Sequence, residues 1–408
     1  MLDPLIHENG YSFKIDYLNL EIMDTIKAVK TIMLISLFLV VTSCRDADVA
    51  KLRSIDFTSH IERQDIRLSE IAKSVEYIQL ETSKESFISM VSDIQFTKEI
   101  IAVFDNQLQK LFVFDRSGKF LNVISNLGKG PEEYIHLFSF AIDPDTSTLY
   151  LHTPIDRILK FQFDNTFEDE IKLAFGKILR FTKIKKGFLC YVARPNRALF
   201  SGVTCFILSE SGSLIKKVLV RESSGVGSSF MSYFSFYCLA DTTCFWESGF
   251  DTIYGVSNKT GTITPRYLLN LGSGTVSGKD YSTKERLDAE IKQGGMVIAS
   301  VFESTSFFIF SIIQGGKIKK LFYDKNSSRM TDLPMKWQIG LINDLDLGPR
   351  FLPEYSVNDS VLCEVIESYE LQMYMRESQG RVGTKDPILL KALDDPGSNP
   401  IIMLVNLK

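Results

Sequence analysis

The sequence predicts an all-β fold, a six-bladed β-propeller with one short inserted helix and an N-terminal signal and anchor segment outside the ring. Three observations carry this. Period-2 apolar segments of about five residues run from Val75 to the C-terminus, separated by turn residues. Similar segments recur as Leu111-Phe-Val-Phe-Asp115, Leu159-Lys-Phe-Gln-Phe-Asp164, Cys205-Phe-Ile-Leu-Ser209, Thr252-Ile-Tyr-Gly-Val256, Lys320-Leu-Phe-Tyr-Asp324 and Glu370-Leu-Gln-Met-Tyr374, the first four starting about 47 residues apart. A unit of that length with up to four strands buries both faces only between neighbouring copies, which is the requirement a propeller blade meets.

The chain opens differently. Lys27 and Lys30 precede a charge-free run, Ile32 to Val41, which at ten residues falls well short of the ~20 needed to cross a bilayer as a helix. It fits the apolar part of an export signal. Asp3, Glu8, Asp16 and Glu21 are foreign to the basic start of such a signal, so translation is expected to begin at Met23. Val41-Thr42-Ser43-Cys44 resembles a bacterial lipobox, which implies lipidation of Cys44. The expected organisation is a signal segment at 1–43, a polar tether at 44–74 and the propeller at 75–408.

Within the propeller the recurring segments are third strands. Each follows a second strand: Ile100 to Phe104, Thr148 to His152, Gly187 to Val192, Thr243 to Glu247, Ser306 to Phe310 and Val361 to Ile366. Turns such as Arg116-Ser-Gly-Lys119 and Glu210-Ser-Gly-Ser213 supply residues that tolerate positive φ. The charged stretch Lys279 to Lys292, ended by Gly294-Gly295, reads as a helix between the fourth and fifth units. The chain ends on an apolar strand, Ile401 to Val405. A ring must close, so this strand and Val75 to Leu80 are expected to share one blade.

Three segments resemble the six-bladed β-propeller lipoproteins abundant in Bacteroidetes, related in architecture to NHL-repeat propellers. They are Gly128-Lys-Gly-Pro-Glu-Glu-Tyr134, Asn343-Asp-Leu-Asp-Leu-Gly-Pro349 with Phe351 and Pro353, and Asp394-Asp395 with Asn399-Pro400. Asp251-Thr-Ile-Tyr254 matches a blade phrase of the same group. The resemblance implies the fold and names no reaction. Gly128 and Gly130 are expected to adopt backbone conformations open to glycine, and Tyr134 to pack the loop on the next blade.

Composition narrows the function classes. A formal charge of -4 without any long single-sign block argues against a nucleic-acid surface. Of the six cysteines, those other than Cys44 are Cys190, Cys205, Cys238, Cys244 and Cys363, with no metal-ligand spacing. Cys238 and Cys244 flank a turn, where either a disulfide or two small buried residues would fit. The loops at one face of the ring present Arg194, Asn196, Arg197, Phe230, Tyr233, Trp246 and Phe351, a mixture of rings and polar groups suited to a glycan or peptide.

The sequence contains no G-x-S-x-G nucleophile elbow. The expected function is a lipid-anchored binding or interaction module at the outer membrane or cell surface, with a periplasm-facing orientation as the other arrangement. Its partners would be a glycan, a peptide or an envelope protein, with no cofactor. The alternative is a metal-assisted hydrolase or lyase in the propeller channel, with Asp344, Asp346 and His136 holding calcium or another divalent ion.

Overall fold

The computed structural model describes residues 52–408 except 144, 154–156, 174–177, 193–202, 221–233, 248–249, 273–288, 290–291, 335–338 and 378–382. The signal segment and Cys44 lie outside the described residues. The described chain opens with β1 (Arg53–Asp56), β2 (Glu62–Arg63), a 3-10 turn at Leu68–Glu70 and β3 (Ala72–Gln79). Five antiparallel sheets of consecutive strands follow. Blade 1 holds β4 (Asp93–Phe96), β5 (Ile100–Asp105), β6 (Lys110–Asp115) and β7 (Phe120–Ile124). Blade 2 holds β8 (Ser139–Ile142), β9 (Leu149–Thr153), β10 (Arg157–Phe161) and β11 (Phe167–Lys172). Blade 3 holds β12 (Arg180–Ile184), β13 (Gly187–Tyr191), β14 (Val203–Leu208) and β15 (Leu214–Val220). Blade 4 holds β16 (Phe234–Leu239), β17 (Thr242–Glu247), β18 (Thr252–Ser257) and β19 (Ile263–Asn270). Blade 5 holds β20 (Met296–Glu303), β21 (Phe307–Gln314), β22 (Lys317–Asp324) and β23 (Arg329–Leu333).

Blade 6 is assembled from both ends of the described chain. β24 (Tyr355–Asn358) and β25 (Val361–Ile366) are joined by β26 (Ile401–Leu407), which pairs antiparallel with β25 on one side and β3 on the other. The expectation that the C-terminal strand and Val75 to Leu80 share a blade holds, with Val405 opposite Val75 and Ile401 opposite Gln79. The first strand of each blade is innermost: β4 neighbours β24 and β8, β8 neighbours β12, and β16 neighbours β20.

Alternation along the strands sends successive side chains to opposite neighbours. On β21, Phe307 and Ile309 join a cluster with Leu362, Met403 and Val405 of blade 6. Phe308, Phe310 and Ile312 join one with Trp246 and Tyr267 of blade 4. Blades 1 and 2, 2 and 3, 6 and 1, and 3 and 4 share the remaining clusters. Each blade therefore buries both faces. A fully buried Phe or Leu contributes about 1.5–3 kcal/mol, so the six layers supply most of the fold's stabilisation.

Three expectations change. Glu370 to Tyr374 is not a strand: it lies in helix α1 (Ser368–Glu377), which with α2 (Pro387–Asp394) forms an insertion between β25 and β26. Leu371 and Tyr374, three apart, pack on the blade 5–6 core, a helical spacing that the short alternating phrase concealed. Asp386 caps α2 by accepting from the Ile388 and Leu389 amides. The polar tether ends early, because from Arg53 onward it is built into the ring: β1 pairs parallel with β19 and β2 parallel with β23. Strands on an outer edge keep exposed faces, and their composition reads as linker.

Gly128 and Gly130 do not have positive φ. They leave room for the Glu133 carboxylate, which folds back over the loop to accept from the Gly130 amide at 2.8 Å: a Cβ on Gly128 would displace it, and one on Gly130 would crowd it at 3.2 Å. Tyr134 is fully buried in the blade 1–2 core, its hydroxyl donating to Gln109 O and Ile124 O. Of the helix expected over Lys279 to Lys292, only 289 and 292 are described; both are helical, and Gly294 ends the turn at φ +103.

Ring closure is fastened by Asn399, which is 1% exposed. Its side chain donates to Glu81 O and Ser86 O and accepts from the Ile88 amide. One residue thus ties the approach of β26 to the chain leading into blade 1. Asn399→Ala strands three backbone groups, and at ~1–3 kcal/mol for each buried group left unpaired the expected loss is roughly 2–4 kcal/mol after relaxation. Urea denaturation followed by tryptophan fluorescence measures it, and a loss below about 1 kcal/mol would refute the locking role.

Candidate functional site

All innermost strands run away from the same end of the channel, so their first residues gather around one mouth. Asp93 opens β4, Arg180 opens β12 and Tyr355 opens β24. The Arg180 guanidinium reaches back across blade 2, donating to Leu179 O at 3.3 Å and Phe138 O at 3.5 Å. Burial pushes the Asp93 carboxyl above its ordinary range, and the nearby charge of Arg180 opposes that rise. Burial, with the Asp93 charge second, raises the Tyr355 phenol. Three blades thus contribute one electrostatically coupled group.

Neighbouring inner strands are clamped through side chains. Gln95 of β4 donates to Phe140 O at 3.0 Å and accepts from the Ile142 amide at 3.1 Å, both on β8. Ser235 of β16 accepts from the Val301 amide of β20 at 2.8 Å. Glu303, at the end of β20, is fully buried and accepts from Tyr237 at 2.8 Å, from both Arg266 nitrogens at 2.8 and 2.9 Å, and from Lys325 at 2.6 Å. At the far end of the channel the Ala240 amide donates to Asp359 Oδ1 at 2.6 Å. These turns belong to blades 4 and 6, which are not neighbours, so the contact crosses that end of the channel.

The rim at blade 6 is acidic. Burial lifts Glu354 and Glu364, with Lys320 opposing the first and the Leu352 amide, 2.8 Å away, opposing the second. Glu367 is pushed up to about 7 by burial and then by the charge of Glu370. Close by, the Asn343 to Gly348 loop is held by its own polar groups. Asp344 accepts from the Ser69 amide at 2.9 Å and its hydroxyl at 2.6 Å, while Asp346 accepts from Asn343 Nδ2 at 2.6 Å and the Gly348 amide at 2.9 Å. Leu347, where the resembling group has glycine, sits at φ +60.

The residues of the metal reading stand apart in the fold. Asp344 and Asp346 fasten a turn at blade 6, and His136 is an exposed residue ahead of β8 whose ring stands edge-on to Phe138, centroids 5.0 Å apart. Among the described residues, no three His, Cys, Asp or Glu side chains gather to hold an ion. Trp246 and Phe351 are also core rather than rim. Trp246 is 1% exposed with its indole N–H donated to Phe250 O, and Phe351 is 0% exposed, its backbone paired with Leu341. Arg194, Asn196, Arg197, Phe230 and Tyr233 lie outside the described residues.

Cys238 and Cys244 are free thiols. Cys238 is opposite Thr243 and Cys244 opposite Tyr237, adjacent pairs whose side chains leave by opposite faces. The sequence reading missed Asp93, Gln95, Arg180 and Tyr355. Their signal was a polar residue at the head of a four- or five-residue apolar strand, visible only once the first strand of each blade is delimited.

Residues 52–406 match the model of a family described as a domain of unknown function (DUF4934). Among solved structures, a Bacteroides fragilis protein described as exported superposes with a TM-score of 0.65 at 20% identity, covering 87% of this chain and 99% of that one. A member of the DUF4221 family from Bacteroides vulgatus gives a TM-score of 0.44 at 9% identity over 85% of this chain and 99% of that one. BamB from Moraxella catarrhalis gives 0.34 at 11% identity over 72% of each chain. None of the curated proteins matches the chain. The first likeness agrees with the fold described above.

The acidic rim sets a pH dependence. A carboxyl whose folded pKa lies above its unfolded value of ~4.3 binds its proton more readily in the folded state, so it adds stability as pH falls through the folded value and loses it as pH rises. Glu367, at about 7, places that window just below neutrality, and Glu354, Glu364 and Asp93 act in the same direction. The melting temperature is expected to be higher at pH 6 than at pH 8, with Glu367→Gln raising the pH 8 value and flattening the difference. Scanning fluorimetry across this range would show an unchanged slope in the variant if the assignment is wrong.

Proposed function

Because this chain belongs to the DUF4934 family, whose description assigns no activity, we propose its function from its own geometry: it is a binding module that takes a polar ligand at one mouth of its channel. The observation that carries the reading is the joining of Asp93, Arg180 and Tyr355 at the strand-start mouth while Ala240 and Asp359 bridge the other end. A planar guanidinium beside a carboxyl and a phenol suits a glycan or a peptide, whose hydroxyls, amides and carboxylates pair with such groups.

The chain works at the cell envelope as an exported protein anchored through a lipid on Cys44, on the outer membrane or cell surface, with the periplasmic side as the other orientation. Support comes from the Lys27 to Val41 export signal, the lipobox-like Val41 to Cys44 and the exported description of the Bacteroides fragilis neighbour. Among the described residues no helix is long and apolar enough to cross a membrane. The motif resemblance to Bacteroidetes propeller lipoproteins and to NHL-type architecture points the same way.

Two measurements test the reading. In cells fed a labelled fatty acid, the full chain is expected to incorporate label and Cys44→Ala to lose it; label retained by the variant would remove the anchor assignment. For the ligand, purified protein is screened against glycan and peptide arrays. A hit is expected to weaken at least tenfold in Arg180→Ala and to slow maleimide modification of Cys238, the exposed thiol on innermost strand β16. Binding indifferent to Arg180→Ala and to the state of Cys238 would place the site elsewhere.

A further inference from the structure

Blade 5 carries a row of polar side chains on a face that is otherwise apolar. Cross-strand pairing sets Ser300 of β20 opposite Ser311 of β21, and Ser311 opposite Lys320 of β22. All three therefore leave by one face, the same as Ile309 and Phe322, which pack against blade 6. Ser311 Oγ accepts from Ser300 at 2.7 Å and from Lys320 Nζ at 2.6 Å. The middle hydroxyl is buried, whereas Ser300 stands exposed on the innermost strand. A β-bulge at Ala299 immediately precedes it, the kind of irregularity that re-aims a side chain out of a regular ladder.

The geometry points to an acyl-transfer site in which Ser300 is the nucleophile and Ser311 connects it to Lys320 as the base, acting on a carboxylic ester presented from the channel. This reaches beyond ligand binding at the mouth and uses none of the residues assigned there. A serine hydroxyl is a weak nucleophile unless a base within hydrogen-bond reach takes its proton, and a lysine serves as that base when its amine is neutral. Burial among blade 5 and 6 side chains lowers the Lys320 pKa, and Glu354 at the head of β24 is the charged group that opposes this. With Nζ neutral, Ser311 donates to it and accepts from Ser300.

The step balances with water as the co-reactant. Ser300 Oγ bonds to the ester carbonyl carbon as its proton moves to Ser311 and the Ser311 proton moves to Lys320. Collapse of the tetrahedral adduct breaks the carbon–oxygen bond to the leaving alcohol, which takes the proton back through the same relay. Water then cleaves the Ser300 acyl ester to a carboxylic acid and restores the hydroxyl.

The test treats the full chain with an alkyl fluorophosphonate and maps the adduct by peptide mass spectrometry. Modification is expected at Ser300 and absent in Ser300→Ala. Lys320→Arg keeps the charge and a donor to Ser311 but does not deprotonate, so a purely structural lysine would be replaced without effect. For a base, labelling falls at least ~100-fold, within the 10²–10⁴ range typical of general base catalysis. Labelling of the native chain should also rise with pH as Lys320 loses its proton, and that rise should vanish in the arginine variant. If the arginine variant does not fold, Ser311→Ala makes the same comparison by breaking the relay. No adduct at Ser300, or equal labelling rates with and without the relay, overturns the proposal.

Discussion

A blade with two apolar faces is unstable until both are covered, and in a ring every covering depends on the next. The six apolar layers between blades are therefore one cooperative system. Its closing element is the pairing of β26 with β3. Asn399 anchors that pairing at its approach, linking the last strand of the chain to the loop that leads into the first complete blade. The local strength of any one sheet matters less than the integrity of this junction, since opening it exposes an apolar face on each of two blades.

Polar groups set within this apolar ring do most of the positioning. Glu303 is buried between blades 4 and 5 with Arg266, Lys325 and Tyr237 converging on it. Such an arrangement contributes little net stability over an apolar replacement, but removing Glu303 would leave Arg266 and Lys325 without their shared counter-charge. It holds the base of β16 against β20, as Gln95 holds β4 against β8. These fixed spacings keep Asp93, Arg180 and Tyr355 at mutual distances that a set of loops alone would not maintain.

Much of the ring was legible in the sequence because middle strands, buried on both faces, form near-continuous apolar runs such as Ile100 to Phe104 and Phe307 to Phe310. The termini's shared blade followed from the need to close. What escaped were elements whose residues answer to two constraints at once. Leu371 and Tyr374 fit a short alternating strand as well as a helical face, and only the packing of α1 against blade 6 decides between them. Arg53 to Arg63 pair along outer edges, where solvent on one side keeps the composition polar. At the mouth, Trp246 and Phe351 read as ligand-facing aromatics because a ring in a loop-adjacent position gives no sign of which way it turns. Asp93 and Arg180 were hidden by the shortness of the strands they begin. The Ser300 row depends on register across three strands and a bulge, which strand periodicity alone does not determine.

The straps formed by β1 and β2 impose an order on assembly. A chain is made from its N-terminus, yet β1 finds its partner only when β19 exists, more than two hundred residues later, and β2 waits for β23. β3 waits longest, because its partner is β26, which follows all the other strands. β1 to β3 thus pair late although they precede every complete blade, and the outward faces of blades 1 and 5 stay uncovered until blade 6 forms. Such a contact pattern favours slow folding and prolonged exposure of apolar surface.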